Sequence, residues 1–356
     1  MLWIFTGLGT LILAVLMFGM LPRVGNPSPE FQTELAYGTP VPPEVEQLLT
    51  PAETPVRERA IIMLENEKII YEYGPTDQIM NTASIRKSII SVLYGIAVEQ
   101  GLIELDKNLA ELGIDELTPL TAQEKQATIR DLLMAKSGIY LPAQGEHDAQ
   151  ITDRPERESH TPGSYFFMNN FDANALGTIF RQETGSSIGV FMEEHLARPL
   201  GMQDFSADNL ILGDPWFWPK KPSLHKQYYL YMSTRDLARI GAMMANGGRW
   251  GGQQIVSENW VQESTTSYSN LKDNHIDYGR YDGFGYQWWL SSDTETIWTD
   301  GYGERFMIID PAHQLTLVEQ NFTGNSYFST AQWLINRNMD CGLGGLVEAH
   351  RVLSQR

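Results

Sequence analysis

Runs that read as strands lie near the two ends of this chain, and runs with helical spacing fill the stretch between them. Arg59–Leu64 and Lys68–Tyr73 have strand character around a turn at Glu65–Glu67. Strand character returns at Gly285–Leu290, Phe306–Asp310 and Leu315–Gln320, followed by a helical segment at Ala331–Asn338. In the middle, Thr128 with Asp131 and Ser233 with Asp236 have the spacing of capping boxes opening apolar helices. Asn170–Glu183 reads as a helix closed by Gly185, with Ser187 capping the next helix through Phe191 and Leu196. This order predicts an α+β fold: one antiparallel sheet completed by N- and C-terminal segments, flanked by helices and with a helical lobe beside it. The cleft between two such lobes is a natural place for a site.

Within the helical part, Ser84 and Lys87 stand one turn apart, and Ile85, Ile89, Leu93 and Ile96 recur with helical spacing after the serine. A serine hydroxyl is a weak nucleophile at neutral pH. A lysine on the same face can take its proton once burial or nearby cations lower the amine's pKa. A serine at a helix start also has backbone N–H groups and the positive dipole end beside it, which favour a developing oxyanion. Two other Ser-x-x-Lys matches, Ser223–Lys226 and Ser269–Lys272, lack a helix to hold them. The G-x-S-x-G match at Gly185–Gly189 lacks the strand-to-helix turn that a nucleophile elbow needs, because a helix precedes it.

Composition narrows the function further. A formal charge of -18 without a compensating basic cluster argues against a nucleic-acid partner. The single cysteine, Cys341, excludes an intrachain disulfide, and the seven histidines show no metal-ligand spacing, so neither metal nor cofactor is expected. Residues 1–22 carry no charged side chain, and Leu2–Leu21 are long enough to span a bilayer. With no basic n-region and no A-x-A-like site before Arg23, they read as an uncleaved membrane anchor in preference to a removed signal segment, with the remainder exported, periplasmic or extracellular. Pro22–Val56 contains eight prolines, so residues 23–56 read as an extended tether, and the folded unit as residues 57–356.

The landmarks Ser84-Ile-Arg-Lys87, Leu132–Gly138, Pro162–Asn170, Arg198–Met202, Ser233–Arg239 and Thr299–Gly303 occur in an order that resembles the β-lactamase-related serine hydrolases. That group includes class C β-lactamases, penicillin-binding carboxypeptidases, esterases and aminohexanoate-oligomer hydrolases. The resemblance covers about Arg57 to Glu348. It implies a β-lactamase/transpeptidase-like fold, a small-molecule ester or amide as substrate, Ser84 as the acylated nucleophile and Lys87 as its base. In the family's Tyr-x-Asn element, Met168 takes the tyrosine position and Asn170 the asparagine position that orients substrate. Thr299-Asp300-Gly301 matches the strand element facing the nucleophile, so the Tyr302 and Ser84 N–H groups would form the oxyanion hole.

Met168 is the principal departure, because a thioether has no proton to give and accepts hydrogen bonds weakly. Three alternatives follow. Tyr140 or Tyr165 supplies a phenol from another position; Lys87 alone serves activated esters; or the domain has lost catalysis and is an enzyme-derived binding domain. Trp216, Trp218, Trp288, Trp289 and Trp298 are candidates to line a cleft, with core packing as the default, and His225 reads as structural. Asp300 places a carboxylate where the family has a neutral residue, so carboxylate-bearing β-lactams are expected to be poor substrates unless Arg305 compensates. Efficient turnover of benzylpenicillin by the purified protein would contradict this.

Overall fold

The computed structural model describes residues 31–50, 58–213, 222–273, 278–322 and 343–355. The elements that position the site are, in chain order, α1 (Pro43–Leu49), β1 (Glu58–Glu65), β2 (Lys68–Tyr73), β3 (Met80–Asn81), α2 (Ile85–Glu99), α3 (Ile129–Leu133), α4 (Asp148–Thr152), α5 (Asn170–Thr184) and α6 (Ile188–Met192). After them come β4 (Leu210–Leu212), β5 (Tyr228–Met232), α7 (Thr234–Ala245), β6 (Arg249–Trp250), β7 (Gln253–Gln254), α8 (Glu258–Ser264), β8 (Ser269–Asn270), β9 (Gly283–Phe284), β10 (Trp289–Ser291), β11 (Thr296–Gly301), β12 (Arg305–Asp310), β13 (Leu315–Phe322) and α9 (Leu343–Leu353).

Eight strands form one sheet in the order β2-β1-β13-β12-β11-β10-β9-β8, with antiparallel pairing throughout. The first strands of the chain thus close against the last, as the ends-and-middle pattern predicts. Both faces of the sheet are covered. Along β1, Ile62 and Leu64 point into the core shared with α2, α5 and α7, whereas Ile61 and Met63 point into a second core built with Val45 and Leu49 of α1 and Leu346 and Leu353 of α9. Successive strand residues face opposite sides, so a strand buried on both faces reads as a continuous apolar run, which is what Ala60–Leu64 is.

Local signals account for several helix ends. Thr128 and Asp131 form a complete capping box at the start of α3. At α7 only half of the box forms. Ser233 accepts from the Asp236 N–H, but the Asp236 carboxylate is taken by the Gln203 and Asp204 N–H groups at 2.8 Å each. Gly185 closes α5 in the left-handed conformation (φ 67°), and the Ser187 side chain caps α6, so the G-x-S-x-G match is a cap-to-cap junction.

Two expectations change. The stretch read as tether departs from that reading between residues 31 and 50. Tyr37 bridges Ile69, and the Gly38 and Val41 N–H groups donate to the Ile69 and Ile70 carbonyls at 2.8 and 2.9 Å, so this segment runs along the outer edge of β2. Covering an edge satisfies backbone groups that would otherwise invite pairing with another chain. The anchor reading is also withdrawn. Among the described residues no helix is long and apolar enough to cross a membrane, and residues 1–22 lie outside them. The exported, membrane-attached location that rested on that segment is withdrawn with it. The expected helix Ala331–Asn338, Cys341, Trp216 and Trp218 also lie outside the described residues.

One ion pair fastens the sheet closure. Arg59 on β1 reaches diagonally across to Glu319 on β13 with two hydrogen bonds of 2.7 and 2.9 Å, and the Glu319 side chain is fully buried. Arg59→Met leaves that carboxylate without its cation and is expected to cost ~3–5 kcal/mol in urea unfolding, with most of the loss recovered when Glu319→Met is added. A loss below about 1 kcal/mol, the scale of an exposed pair, would show that the bridge is not part of the closure.

Candidate active site

The site is built on the first turn of α2. Thr82 is held by β5 through both its N–H and its hydroxyl, which donate to the Leu230 carbonyl at 2.9 and 3.0 Å. Ala83 then takes a left-handed conformation (φ 49°), an uncommon geometry for a residue with a Cβ, and its N–H is secured by the Asn81 side chain at 2.8 Å. This turn delivers Ser84 to the helix start already in helical conformation, and its side chain makes no cap hydrogen bond. The hydroxyl is therefore not committed to the helix end, which removes the capping explanation for the residue.

Lys87 follows one turn later on the same face and is 3% exposed. Burial lowers its pKa from 10.5 to about 7, with Arg86 adding to the decrease and the carboxylates of Asp300 and Asp172 opposing it. Its Nζ donates to the Met168 Sδ at 3.4 Å. Met168 thus touches the amine, but offers it only a weak acceptor. Ser88, beside Lys87, pins α2 to the sheet: its hydroxyl donates to the Gln287 carbonyl (2.6 Å), and its oxygen is hydrogen-bonded to the Thr299 hydroxyl (2.7 Å). Thr299 is 2% exposed and tied to Ser88, so its hydroxyl braces α2.

The end of β11 comes very close to the serine. A Cβ on Gly301 would sit 2.7 Å from the Thr82 carbonyl and 3.3 Å from the Ser84 nitrogen, so this close approach of strand to helix start requires glycine. Tyr302, the next residue, is 70% exposed. Asp300 accepts from the Tyr281 hydroxyl at 3.2 Å, and burial raises its carboxyl pKa while Tyr281, Lys87 and Arg280 hold it down. Arg305 donates to the Tyr302 and Gly303 carbonyls at this turn.

On the other side of Lys87 lies the start of α5. Asn170 is buried, and its side-chain N–H donates to the Gln144 and Gly145 carbonyls, which fixes the 144–145 loop. Asp172 is also buried. It accepts from the Ser137 hydroxyl at 2.6 Å, its second oxygen has no hydrogen-bond partner, and burial raises its pKa to about 8. Tyr140 packs edge-on against Phe167 and His160, with its hydroxyl buried and unpartnered; burial raises its pKa, so the phenol stays protonated. Tyr165 stacks on His160 at 4.1 Å. The structure thus places Met168 against Lys87, whereas both tyrosines are engaged with His160.

Two neighbours of the site have no signal in the strand and helix pattern. Gln150 of α4 donates to the Met168 carbonyl at 3.1 Å, and its side-chain nitrogen lies 3.9 Å from the Met168 sulfur. His147, the residue before α4, has its pKa lowered by partial burial and by the positive charge of Lys87. Other candidates fall away. Ser223 donates to Glu116 at 2.6 Å, Lys272 pairs with Asp282 at 3.2 Å, and the His225 ring lies between Thr178 and the Asp115 carbonyl. Trp288, Trp289 and Trp298 are core residues.

The family model described as Beta-lactamase matches residues 59–319, which run from the Arg59 strand to its partner Glu319. The chain belongs to the beta-lactamase family. This beta-lactamase-family chain is 24% identical over 189 residues to an uncharacterized protein from Alkalihalophilus pseudofirmus, a match covering 51% of this chain and 52% of that one. It thus spans about half the length of that relative. Among solved structures, a family VIII carboxylesterase superposes with a TM-score of 0.62 at 16% identity, covering 89% of this chain and 99% of the other. A penicillin-binding protein homolog from Caulobacter crescentus gives 0.57 at 15% identity, covering 81% and 92%. These likenesses bear out the β-lactamase/transpeptidase-like fold, and the family is one of serine hydrolases, esterases and amidases among them.

The burial of Lys87 has a thermodynamic sign. An unfolded lysine keeps its proton to ~10.4, whereas the folded amine loses it near 7. Between these values the unfolded chain binds more protons, so this group makes stability rise with pH. Lys87→Met removes the cost and is expected to be more stable than wild type below pH 7, by on the order of a few kcal/mol. The gain should shrink toward pH ~10. Urea unfolding of both proteins from acid to alkaline pH checks this; a difference that does not change with pH would contradict a depressed amine.

Proposed function

We propose that this protein is a serine hydrolase that cleaves an ester or amide through an acyl-enzyme on Ser84, with Lys87 as the base. The observation that carries this reading is the pairing of an uncapped serine at a helix start with a buried amine one turn away. At neutral pH a substantial fraction of that amine is unprotonated and able to take the Ser84 proton as the hydroxyl attacks a carbonyl. The oxyanion formed would be met by the Ser84 and Tyr302 N–H groups, with Gly301 supplying the room for β11 to approach. Asp300 beside this position disfavours acyl groups that carry a carboxylate near the reacting carbon. In this reading Asn170 organises the 144–145 loop on the substrate side, and the catalytic unit begins near residue 57.

The contact between Lys87 and Met168 favours one rival, an enzyme-derived binding domain in which the thioether marks lost catalysis. A fluorophosphonate probe separates the two. An adduct on Ser84 that is absent in Ser84→Ala and at least ~10²-fold slower in Lys87→Ala supports the hydrolase. The labelling rate should rise with pH through about 7, as Lys87 loses its proton. A well-folded wild-type protein that takes no label supports the binding domain.

A further inference from the structure

Lys87 is buried, and among the described residues its amine meets one hydrogen-bond acceptor, the Met168 sulfur at 3.4 Å. An ammonium cut off from water needs strong acceptors, and a thioether is a poor one. A neutral amine, by contrast, donates one N–H to sulfur and keeps its lone pair free. The contact therefore suits the neutral form. Met168 is itself held from a second element. Gln150 of α4, 4% exposed, donates to the Met168 carbonyl at 3.1 Å and brings the same nitrogen to 3.9 Å from the sulfur. Two N–H donors thus converge on one thioether, which fixes it against the amine.

The charges around the amine are divided. Arg86 on α2 opposes a proton on Lys87, Asp300 of β11 and Asp172 of α5 favour one, and the lysine charge in turn acts on His147 ahead of α4. Both carboxylates have hydrogen-bond donors of their own, Tyr281 at Asp300 and Ser137 at Asp172. Proton donors beside the amine are also lacking. The Tyr140 hydroxyl has no hydrogen-bond partner, Tyr165 stacks on His160, and the Ser88 and Thr299 hydroxyls are bonded to each other.

We propose that Met168, clamped by Gln150, is a positioning residue that holds Lys87 as a neutral base with no acid beside it, so that the substrate is an ester whose leaving group, a phenol or an enol, departs without a proton; this rests on the Ser84 hydrolase reading. In acylation the Ser84 oxygen bonds to the carbonyl carbon while its proton passes to the Lys87 amine. The bond from that carbon to the leaving oxygen then breaks, and its electron pair departs with the phenolate or enolate. The Lys87 ammonium, poorly held by sulfur, gives its proton to water and becomes a base again. A water oxygen next bonds to the acyl carbon as one of its protons passes to Lys87. Lys87 returns that proton to Ser84 as the acyl–serine bond breaks. An alkoxide or an amide nitrogen is too basic to leave in this way.

The test follows kcat/KM of the full chain, wild type, Met168→Leu and Met168→Gln, from acid to alkaline pH on esters of one acid whose alcohols range from p-nitrophenol to a simple alkanol. The wild type should turn over the alkyl ester ~10²-fold or more slowly than the p-nitrophenyl ester, because no group protonates the alkoxide. Met168→Gln sets a carbonyl oxygen at the amine, which favours the ammonium, so the midpoint of its p-nitrophenyl ester profile should move up by about one pH unit or more. Met168→Leu supplies no stronger acceptor, so its midpoint should not rise. A midpoint that stays in place in Met168→Gln, or that rises equally in Met168→Leu, overturns the inference. So does a wild-type rate on the alkyl ester within about tenfold of that on the p-nitrophenyl ester, a comparison that stands whether or not either variant folds. Acyl-enzyme mass on Ser84 tells the two readings apart: acylation with any of these contrary results removes the role of Met168 alone, whereas no acylation by any ester removes the hydrolase reading as well.

Discussion

Everything in the site hangs on a helix with no solvent-facing side over its first turns. From Ile85 to Ala97 every residue of α2 is buried, between the sheet on one side and the α5 lobe on the other. A lysine in such a helix has nowhere to extend its amine except into protein. The desolvation that would ordinarily make a buried lysine a liability is here what loosens the proton on its amine. The same burial fixes where the amine points, and the serine one turn earlier inherits the position of a rigid element rather than of a loop.

The sheet sets the other half of the geometry. Pairing of β1 with β13 brings the chain ends together and lines up β12 and β11 behind them, until the end of β11 meets the start of α2 at Gly301. Ser88, Thr299 and the Gln287 carbonyl tie the two together on the far side of the lysine. The left-handed Ala83 stores some strain in the turn that presents Ser84, a cost of order 1–3 kcal/mol that the surrounding contacts must offset. Backbone strain of this kind is tolerable because β5 holds the preceding residue through two hydrogen bonds.

Much of this was readable from the chain. The strand–turn–strand at Arg59–Tyr73 and the strands at Phe306–Asp310 and Leu315–Gln320 appear where the apolar runs put them, because a strand buried on both faces leaves a dense apolar signature, whereas most of the expected strand Gly285–Leu290 is the turn between β9 and β10. Ser84 and Lys87 were legible because their relation is local, set by helix pitch alone. The packed segment 31–50 was missed because prolines speak only to backbone freedom. Pro42 and Pro43 open α1, a position where a missing N–H costs nothing. The half-formed box at α7 shows the limit of a local rule, since a carboxylate poised to cap its own helix is captured by two N–H groups from another loop.

The sequence by itself determined the one-turn spacing of Ser84 and Lys87, the ends-and-middle plan of the sheet and the presence of Met168 two residues before Asn170, all of which depend on residues a few positions apart or on the pattern of apolar runs. The tertiary structure decided what Lys87 touches, how far its proton is loosened and which charges act on it: Met168 lies 81 residues away in the chain, and Asp300 and Asp172 arrive on two further elements. Desolvation and electrostatic coupling depend on distance through space, which the linear order of residues does not encode.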